Sequence, residues 1–250
     1  MKIAVIFSTQ LRTIEYTTPN LLKFFGELFP QIDFFCHTWD ISYHSTKQSG
    51  IIRHDNPNET IIEDYNKLIN DPKIVADFIK IFNPKKMVIE NFLEYQKKNY
   101  FLNENDFQMW YSIWAGNELK KQYEIENDFK YDIVIKVRGD LIFQTERTLM
   151  DDIIDYKNEN NKNTILYIED FYYLSNSESI DLLSEYGNPE KFIYKNYNNL
   201  PWGHIDYLKS IKLNRISSKV CGGLFRNEAI GLNIEQELNE IFNIYKNYYN

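Results

Sequence analysis

The sequence predicts an α/β fold in which helices flank a mainly parallel central sheet in one Rossmann-like domain. Three continuous apolar runs, Lys2–Phe7, Ile32–Thr38 and Tyr131–Val137, have the composition of strands that are covered on both faces. Segments with helical periodicity separate these runs, as in βαβ units. We find no internal repeat and no clear linker, so we predict a single domain over residues 1–250.

Composition excludes several classes of protein. The chain has 250 residues, of which 43% are hydrophobic and 16% aromatic, which is enough for a substantial core. Its net charge of −8 argues against a general nucleic-acid binder, because such proteins present a basic face. Two cysteines provide neither a disulfide framework nor a zinc quartet. Without a signal peptide or an apolar run of about 18 residues, we expect a cytoplasmic protein with no transmembrane segment.

Strands and helices alternate in the first half of the chain. After the first strand we predict a helix over Pro19–Leu28, because Pro19 suits a first turn and the leucines recur on one face. The strands on either side of this helix are expected to be parallel. Ile41–Glu59 is polar and irregular. The remaining predictions for this half are helices over Thr60–Ile69, Lys73–Phe82 and Glu104–Glu124 and a strand over Lys86–Glu90.

The second half continues the same pattern more weakly. A helix over Ser177–Tyr186 follows an Asx/Ser-type start. The other predicted elements are strands over Thr164–Ile168 and Val220–Arg226 and helices over Ile205–Ile211 and Ile234–Tyr248.

Polar side chains follow three of the predicted strands. These residues are Ser8, Gln10 and Arg12 after the first strand, His37, Trp39 and Asp40 at the end of the second, and Arg138 and Asp140 after Tyr131–Val137. Ligands of open α/β sheets bind beyond the carboxyl ends of the strands, so we expect these groups to be neighbours. Taken singly, each has a plainer alternative: Arg12 capping a surface turn, or Asp40 acting as a helix N-cap.

The chemistry of these groups suits a diphosphate. Asp140 is a hard oxygen ligand for Mg²⁺ or Mn²⁺, and Arg12 and Arg138 can pair with phosphate oxygens in bidentate fashion. Together they would stabilise the charge that develops as a nucleoside diphosphate leaves. Lys136 alternates with Arg138 and either faces the same side or is a solvated strand residue.

Four segments carry a resemblance to a known family. The opening FSTQLRT is similar to an SGQ-x-R pattern, and Asp33–Asp40, DFFCHTWD, to D-[IVF]-F-x-H-[TS]-W-[DN]. The helical segment Gln108–Ser112 and the stretch Tyr131–Leu141, YDIVIKVRGDL, complete the pattern. Together they resemble GT-A-like glycosyltransferases of polysaccharide-biosynthesis loci and large viruses. The chain departs from that pattern at Thr9, where glycine is usual, and at Arg138, which stands at the first position of an Asp-x-Asp signature.

The resemblance implies a GT-A-like fold and transfer of a sugar from a nucleotide-sugar donor to a hydroxyl of a glycan acceptor. The donor would be linked to UDP, GDP or dTDP, with Mn²⁺ or Mg²⁺ at Asp140, in the cytoplasm of a bacterium or of a virus-infected host cell. The nucleotide-binding half would span about 1–145 and the acceptor-side half about 146–250. The expected donor contacts are Ser8, Gln10, Arg12, Trp39, Asp40, Arg138 and Asp140.

The acceptor side needs a base that takes the proton of the attacking hydroxyl. Asp170 is the first candidate, because it follows a predicted strand end; Glu169, His204 and Asp206 are alternatives. Trp202, His204 and Asp206 are the expected acceptor contacts. Other readings of the sequence stay open: a nucleotide-sugar-binding protein without catalysis, another phosphate-handling transferase such as a nucleotidyl- or sulfotransferase, and a plain interaction domain.

Overall fold

Strands and helices alternate along most of the described chain. The structure, a computed structural model, describes residues 1–8, 10–11, 14–40, 72–98, 105–143, 147–159, 163–191, 193, 203–219 and 222–224. The strands within these ranges are β1 (Ile3–Ser8), β2 (Ile32–Trp39), β3 (Lys86–Glu90), β4 (Ile133–Val137), β5 (Leu141–Phe143), β6 (Thr164–Ile168), β7 (Tyr172–Ser175), β8 (Asn214–Ser217) and β9 (Gly222–Leu224). The α-helices are α1 (Ile14–Phe25), α2 (Pro72–Phe82), α3 (Phe92–Lys98), α4 (Asn105–Glu126), α5 (Leu149–Asn158), α6 (Ser177–Ser184) and α7 (Gly203–Ser210).

Seven of the strands form one mixed sheet in the order β3–β2–β1–β4–β7–β6–β8. Four neighbouring pairs are parallel, and only β7 runs antiparallel to both its neighbours. Strands β5 and β9 pair separately as an antiparallel two-stranded sheet. The predicted α/β class and the parallel pairing of the first two strands are therefore confirmed.

Each face of the sheet is covered by its own set of helices. Alternate side chains of β1, such as Val5 and Phe7, pack with α1, α2 and α5. The intervening residues, such as Ala4 and Ile6, pack with α3, α4, α6 and α7. Both faces of β1 and β4 are buried along their whole length, which is why their sequences read as continuous apolar runs.

Helix α4 lies especially close to β1. A Cβ atom on Gly116 would lie 2.7 Å from Ile6 Cγ2 and 3.7 Å from His37 Cβ. Only glycine permits this close approach, so α4 crosses directly above the strands whose ends carry polar groups.

Several element boundaries differ from the sequence predictions. The predicted helix over Pro19–Leu28 begins earlier, at Ile14, so Pro19 lies inside it, and a 3₁₀ turn over Gly26–Gln31 replaces its end. The elements that the sequence analysis did not predict are α3, α5, β5, β7 and β8. The stretch Ile41–Glu59 and the helices predicted over Thr60–Ile69 and Ile234–Tyr248 lie outside the described residues. No helix of the described part of the chain is long and apolar enough to cross a membrane.

Candidate functional site at the carboxyl edge of the sheet

The ends of β1 and β4 lie side by side at the point where the strand order reverses. Strands β2 and β3 lie on one side of β1, whereas β4 lies on its other side and is followed there by β7, β6 and β8. Such a switch point opens a crevice at the carboxyl edge of a sheet. Phe7 pairs with Val137, and Ser8 pairs with His37. The fold thus brings Ser8, His37 and the turn that begins at Arg138 onto three adjacent strands.

Arg138 and Asp140 form a closed ion pair at this point. Arg138 Nε and Nη2 each donate to one oxygen of Asp140, both at 2.8 Å, and Asp140 is only 2% exposed. Burial alone would lower the pKa of Arg138, but Asp140 and Asp170 raise it above its ordinary value. Thr17 of α1 donates to the Gly139 carbonyl at 2.5 Å, which ties the intervening turn to α1. The guanidinium therefore stays charged within this site.

Lys136 is fully buried beside this pair, which excludes the alternative of a solvated strand residue. Its ammonium group donates a hydrogen bond to the backbone carbonyl of Asp170. Burial lowers the pKa of Lys136 to about 7; Arg138 adds to this effect, whereas Asp170 and Asp140 oppose it. The site therefore contains a second cation whose charge changes near neutral pH.

The turn between β6 and β7 supplies the second carboxylate. Phe171 N–H donates to the Ile168 carbonyl at 2.9 Å, and Arg138 N–H donates to the Phe171 carbonyl at 3.2 Å. Glu169 has a φ of 44°, a left-handed conformation that is uncommon for a residue with a side chain. This turn places Asp170 Oδ2 at 4.0 Å from Arg138 Nη1. Arg138 consequently lies between two carboxylates.

The end of β2 is occupied by contacts within the fold. Trp39 is buried among Phe92, Tyr95 and Tyr111, with ring centroids 5.3, 4.7 and 5.7 Å away. The Asp40 carboxylate accepts from Phe92 N–H at 2.9 Å and from Asn91 Nδ2 at 2.7 Å. Asp40 thus serves the first turn of α3, a helix distant in the sequence, whereas the segment directly after Asp40 lies outside the described residues.

A hydrogen-bonded group of three polar side chains adjoins Trp39. His37 Nε2 lies 2.9 Å from Glu90 Oε2, and Tyr111 O–H donates to the same carboxylate at 2.9 and 3.0 Å. This arrangement fixes the orientation of the His37 ring. Glu90 was not singled out from the sequence; its place at the end of the strand predicted over Lys86–Glu90 was the available signal.

His204 lies on the β7 side of the edge. Its ring is 5.3 Å from that of Trp110 on α4. Burial and the charge of Arg215 lower the pKa of His204 below its ordinary value, although Asp170 and Asp206 oppose them. His204 is therefore neutral at pH 7. Asp206, by contrast, is 42% exposed and lies 3.3 Å from Lys209.

Sequence reasoning missed Tyr173 and Arg215, which lie on the same face of the sheet. Tyr173 pairs with Lys136 in the sheet, and Arg215 covers the ring of Tyr167 at 4.2 Å. Gln10 lies in the described part of the loop that follows β1, whereas Arg12 and Trp202 lie outside the described residues.

The described residues do not fit a divalent ion at Asp140 as they are arranged. They contain no group of three or more His, Cys, Asp or Glu side chains in position to hold a metal. Both oxygens of Asp140 already accept from Arg138, so a metal there would compete with the guanidinium for this carboxylate. Metal binding at Asp140 stays a prediction.

Comparisons with family models and with curated proteins find no match for this chain. The geometry of the site and the sequence patterns therefore carry the functional argument.

Proposed function

We propose that this protein is a glycosyltransferase that moves a sugar from a nucleotide-sugar donor to a hydroxyl of a glycan acceptor. The observation that carries the proposal is a fully buried lysine, Lys136, beside Arg138, whose side chain is 20% exposed, at the switch point of an open α/β sheet. Buried charges are rare unless they are paired or bind a ligand. The resemblance to GT-A-like glycosyltransferases agrees with a ligand of this class.

The diphosphate of the donor would lie against the end of β1 and the Arg138 turn. The guanidinium of Arg138 can donate to two phosphate oxygens at once, and the buried Lys136 beside it adds positive charge. When the bond between the sugar carbon and the phosphate oxygen breaks, the nucleoside diphosphate leaves with the electron pair. Fixed cations in a dry site stabilise the charge that develops on it. In this proposal Arg138 performs much of the charge neutralisation that a metal otherwise supplies.

Asp170 would take the proton of the acceptor hydroxyl as that oxygen bonds to the sugar carbon. Its carboxylate is held beside Arg138 by the turn between β6 and β7 and is 28% exposed. His204, neutral at pH 7, is the alternative base. Both lie at the edge where the two substrates would meet. A cytoplasmic location, in a bacterium or in a virus-infected host cell, is part of the same proposal.

Release of nucleoside diphosphate from UDP-, GDP- and dTDP-linked hexoses tests the proposal. We expect the wild-type protein to release nucleoside diphosphate from donors of one nucleotide class. The release should be slow when water is the acceptor and faster when an oligosaccharide acceptor is added. Asp170→Asn should lower the rate by about 10²-fold or more without weakening nucleotide binding. If none of the donors binds to the folded protein, the proposal is wrong.

A nucleotide-sugar-binding protein without transfer activity is the second candidate. The pair between Arg138 and Asp140 favours it, because each oxygen of Asp140 already accepts a hydrogen bond from Arg138 and a metal would have to compete with this guanidinium. Donor binding without release of nucleoside diphosphate, unchanged in Asp140→Asn, would support this candidate over the transferase.

A further inference from the structure

The guanidinium of Arg215 on β8 is fixed in place, and the described part of the chain supplies no counter-ion to it. It is partly buried over the ring of Tyr167, 4.2 Å from the centroid, and its Nη2 donates to the hydroxyl oxygen of Tyr167 at 3.3 Å. Among the residues that the structure describes, no carboxylate lies within ion-pairing distance of it. A stacked arginine of this kind is pre-organised for an anion, because its planar group loses little freedom on binding.

The Tyr173 hydroxyl is a second group of this kind on the same face of the sheet. Its side chain is fully buried, and its hydroxyl makes no hydrogen bond within the described part of the chain. Tyr173 pairs with Tyr167 across β7 and β6, so both rings lie on the sheet face that carries Arg215. Burial raises the pKa of this hydroxyl, and Arg215 lies near enough to oppose that rise. A buried hydroxyl without a partner costs about 1–3 kcal/mol, and a ligand oxygen would recover that cost.

Two further rings bound the same region. Trp110 lies 6.3 Å from the ring of Tyr173 and 5.3 Å from that of His204. Trp110 is itself only 2% exposed. The Arg215 guanidinium and the Tyr173 hydroxyl are therefore held near aromatic rings of α4 and α7.

The acidic groups of the neighbourhood are mostly engaged elsewhere. The Asp170 carboxylate lies 4.0 Å from Arg138 Nη1, and the Asp206 carboxylate lies 3.3 Å from Lys209. Glu169, on the same turn as Asp170, is the remaining carboxylate near Tyr173. None of them neutralises Arg215 by direct contact in the described structure, so its charge remains open to a ligand.

We propose that Arg215 and Tyr173 form a second anion site, which binds a carboxylate or phosphate group carried by a saccharide. Arg215 can hold two oxygens of such a group, and the Tyr173 hydroxyl can donate to one of them. Assigning this saccharide to the acceptor, which would then be an acidic sugar or a sugar phosphate, rests on the proposed transferase function. The anion site itself does not depend on that function.

Titration with three small saccharides, followed by ligand-observed NMR without nucleotide, tests the site. The probes are glucuronate, glucose 6-phosphate and neutral glucose. We expect saturable binding of one or both anionic sugars at millimolar concentrations or below, and much weaker binding of glucose. Comparison of glucuronate with glucose 6-phosphate distinguishes a carboxylate from a phosphate.

Three variants assign the binding to these residues. Arg215→Gln and Tyr173→Phe should each weaken it by about tenfold, whereas Lys209→Gln, which removes an exposed cation from nearby α7, should not. Tyr173→Phe removes a hydroxyl without a described partner, so the fold should be as stable as wild type or more stable. Equal binding of charged and neutral sugars, or unchanged affinity in Arg215→Gln, would overturn the proposal. Because nucleotide is absent, the result is independent of whether a nucleotide donor binds.

Discussion

Arg138 is the residue on which the proposed site depends. It is held between Asp140, which it contacts with two nitrogens, and Asp170 at 4.0 Å. A buried ion pair recovers its desolvation cost only with such geometry. An incoming diphosphate would therefore meet a guanidinium that is already oriented.

Lys136 should give the protein a measurable pH dependence. Its folded pKa is about 7, whereas a free lysine titrates near 10.4. Between these values the unfolded chain binds more protons than the folded one, so the free energy of unfolding rises with pH. We expect wild type to gain about 2 kcal/mol relative to Lys136→Met between pH 7 and pH 9, measured by urea unfolding.

The variant also serves as the control in this experiment. Lys136→Met keeps the length of the side chain but has no titrating group, so its stability should not show this rise. Stability curves that run parallel for the two proteins across this range would show that Lys136 is not held in a low-pKa environment.

At the scale of elements, α4 connects the site with the body of the fold. Its amino-terminal part carries Trp110 and Tyr111, and Gly116 sets its close approach to β1. Further along, fully buried Lys120 contacts Ser177 Oγ at 2.5 Å, Asp181 Oδ1 at 2.7 Å and Glu124 Oε2 at 3.2 Å. This network holds α4 against α6. Because Trp110 and Tyr111 lie on α4, the network also fixes their rings indirectly.

Removing Lys120 should therefore be costly. Lys120→Met leaves buried carboxylates without one of their cations and should lower the free energy of unfolding by about 3 kcal/mol or more. Lys121→Met is the matched control, since Lys121 forms a partly exposed pair with Glu118 at 2.6 Å and should cost about 1 kcal/mol or less. Chemical denaturation measures both, and equal losses would argue against the anchoring role of the network.

The elements that sequence analysis found are those with long periodic or apolar patterns, such as β1, β2, β4 and α4. The missed strands β7 and β8 have four residues each, and the missed helix α3 has seven. Strand β7 has four residues and follows a tight turn, so its aromatic residues resemble a loop. Helix α5 did carry a signal: Thr148 N–H donates to Asp151 at 2.8 Å, which is the capping-box spacing of a helix start.

The position of each site residue relative to the long apolar strands explains which parts of the site were predictable. The parallel-strand rule located the ends of β1, β2 and β4, and hence Ser8, Trp39 and Arg138. It could not locate Tyr173, because β7 runs antiparallel and places its first residues at the edge. The rule also could not show that Asp140 forms an ion pair with Arg138, since this pairing depends on the conformation of a single turn.

At the scale of the whole molecule, the site contrasts with the net charge of the chain. The protein carries a formal charge of −8, which repels anions at long range. Lys136 and Arg138 nevertheless lie at the end of β4 and in the turn that follows it. The fold therefore places two cations where the strand order opens a crevice.

Isothermal titration with UDP, GDP and dTDP, with and without Mn²⁺, tests the central claim most directly. The decisive variant is Arg138→Gln/Asp140→Asn, which removes both charges of the pair together and so leaves no buried ion alone. Its control is Arg147→Gln/Asp155→Asn, another partly buried pair at 2.6 Å. We predict that one nucleotide binds wild type and the control alike and binds the Arg138 variant about tenfold or more weakly. Failure of all three nucleotides to bind the folded wild-type protein, or equal affinity in the Arg138 variant, would contradict the account.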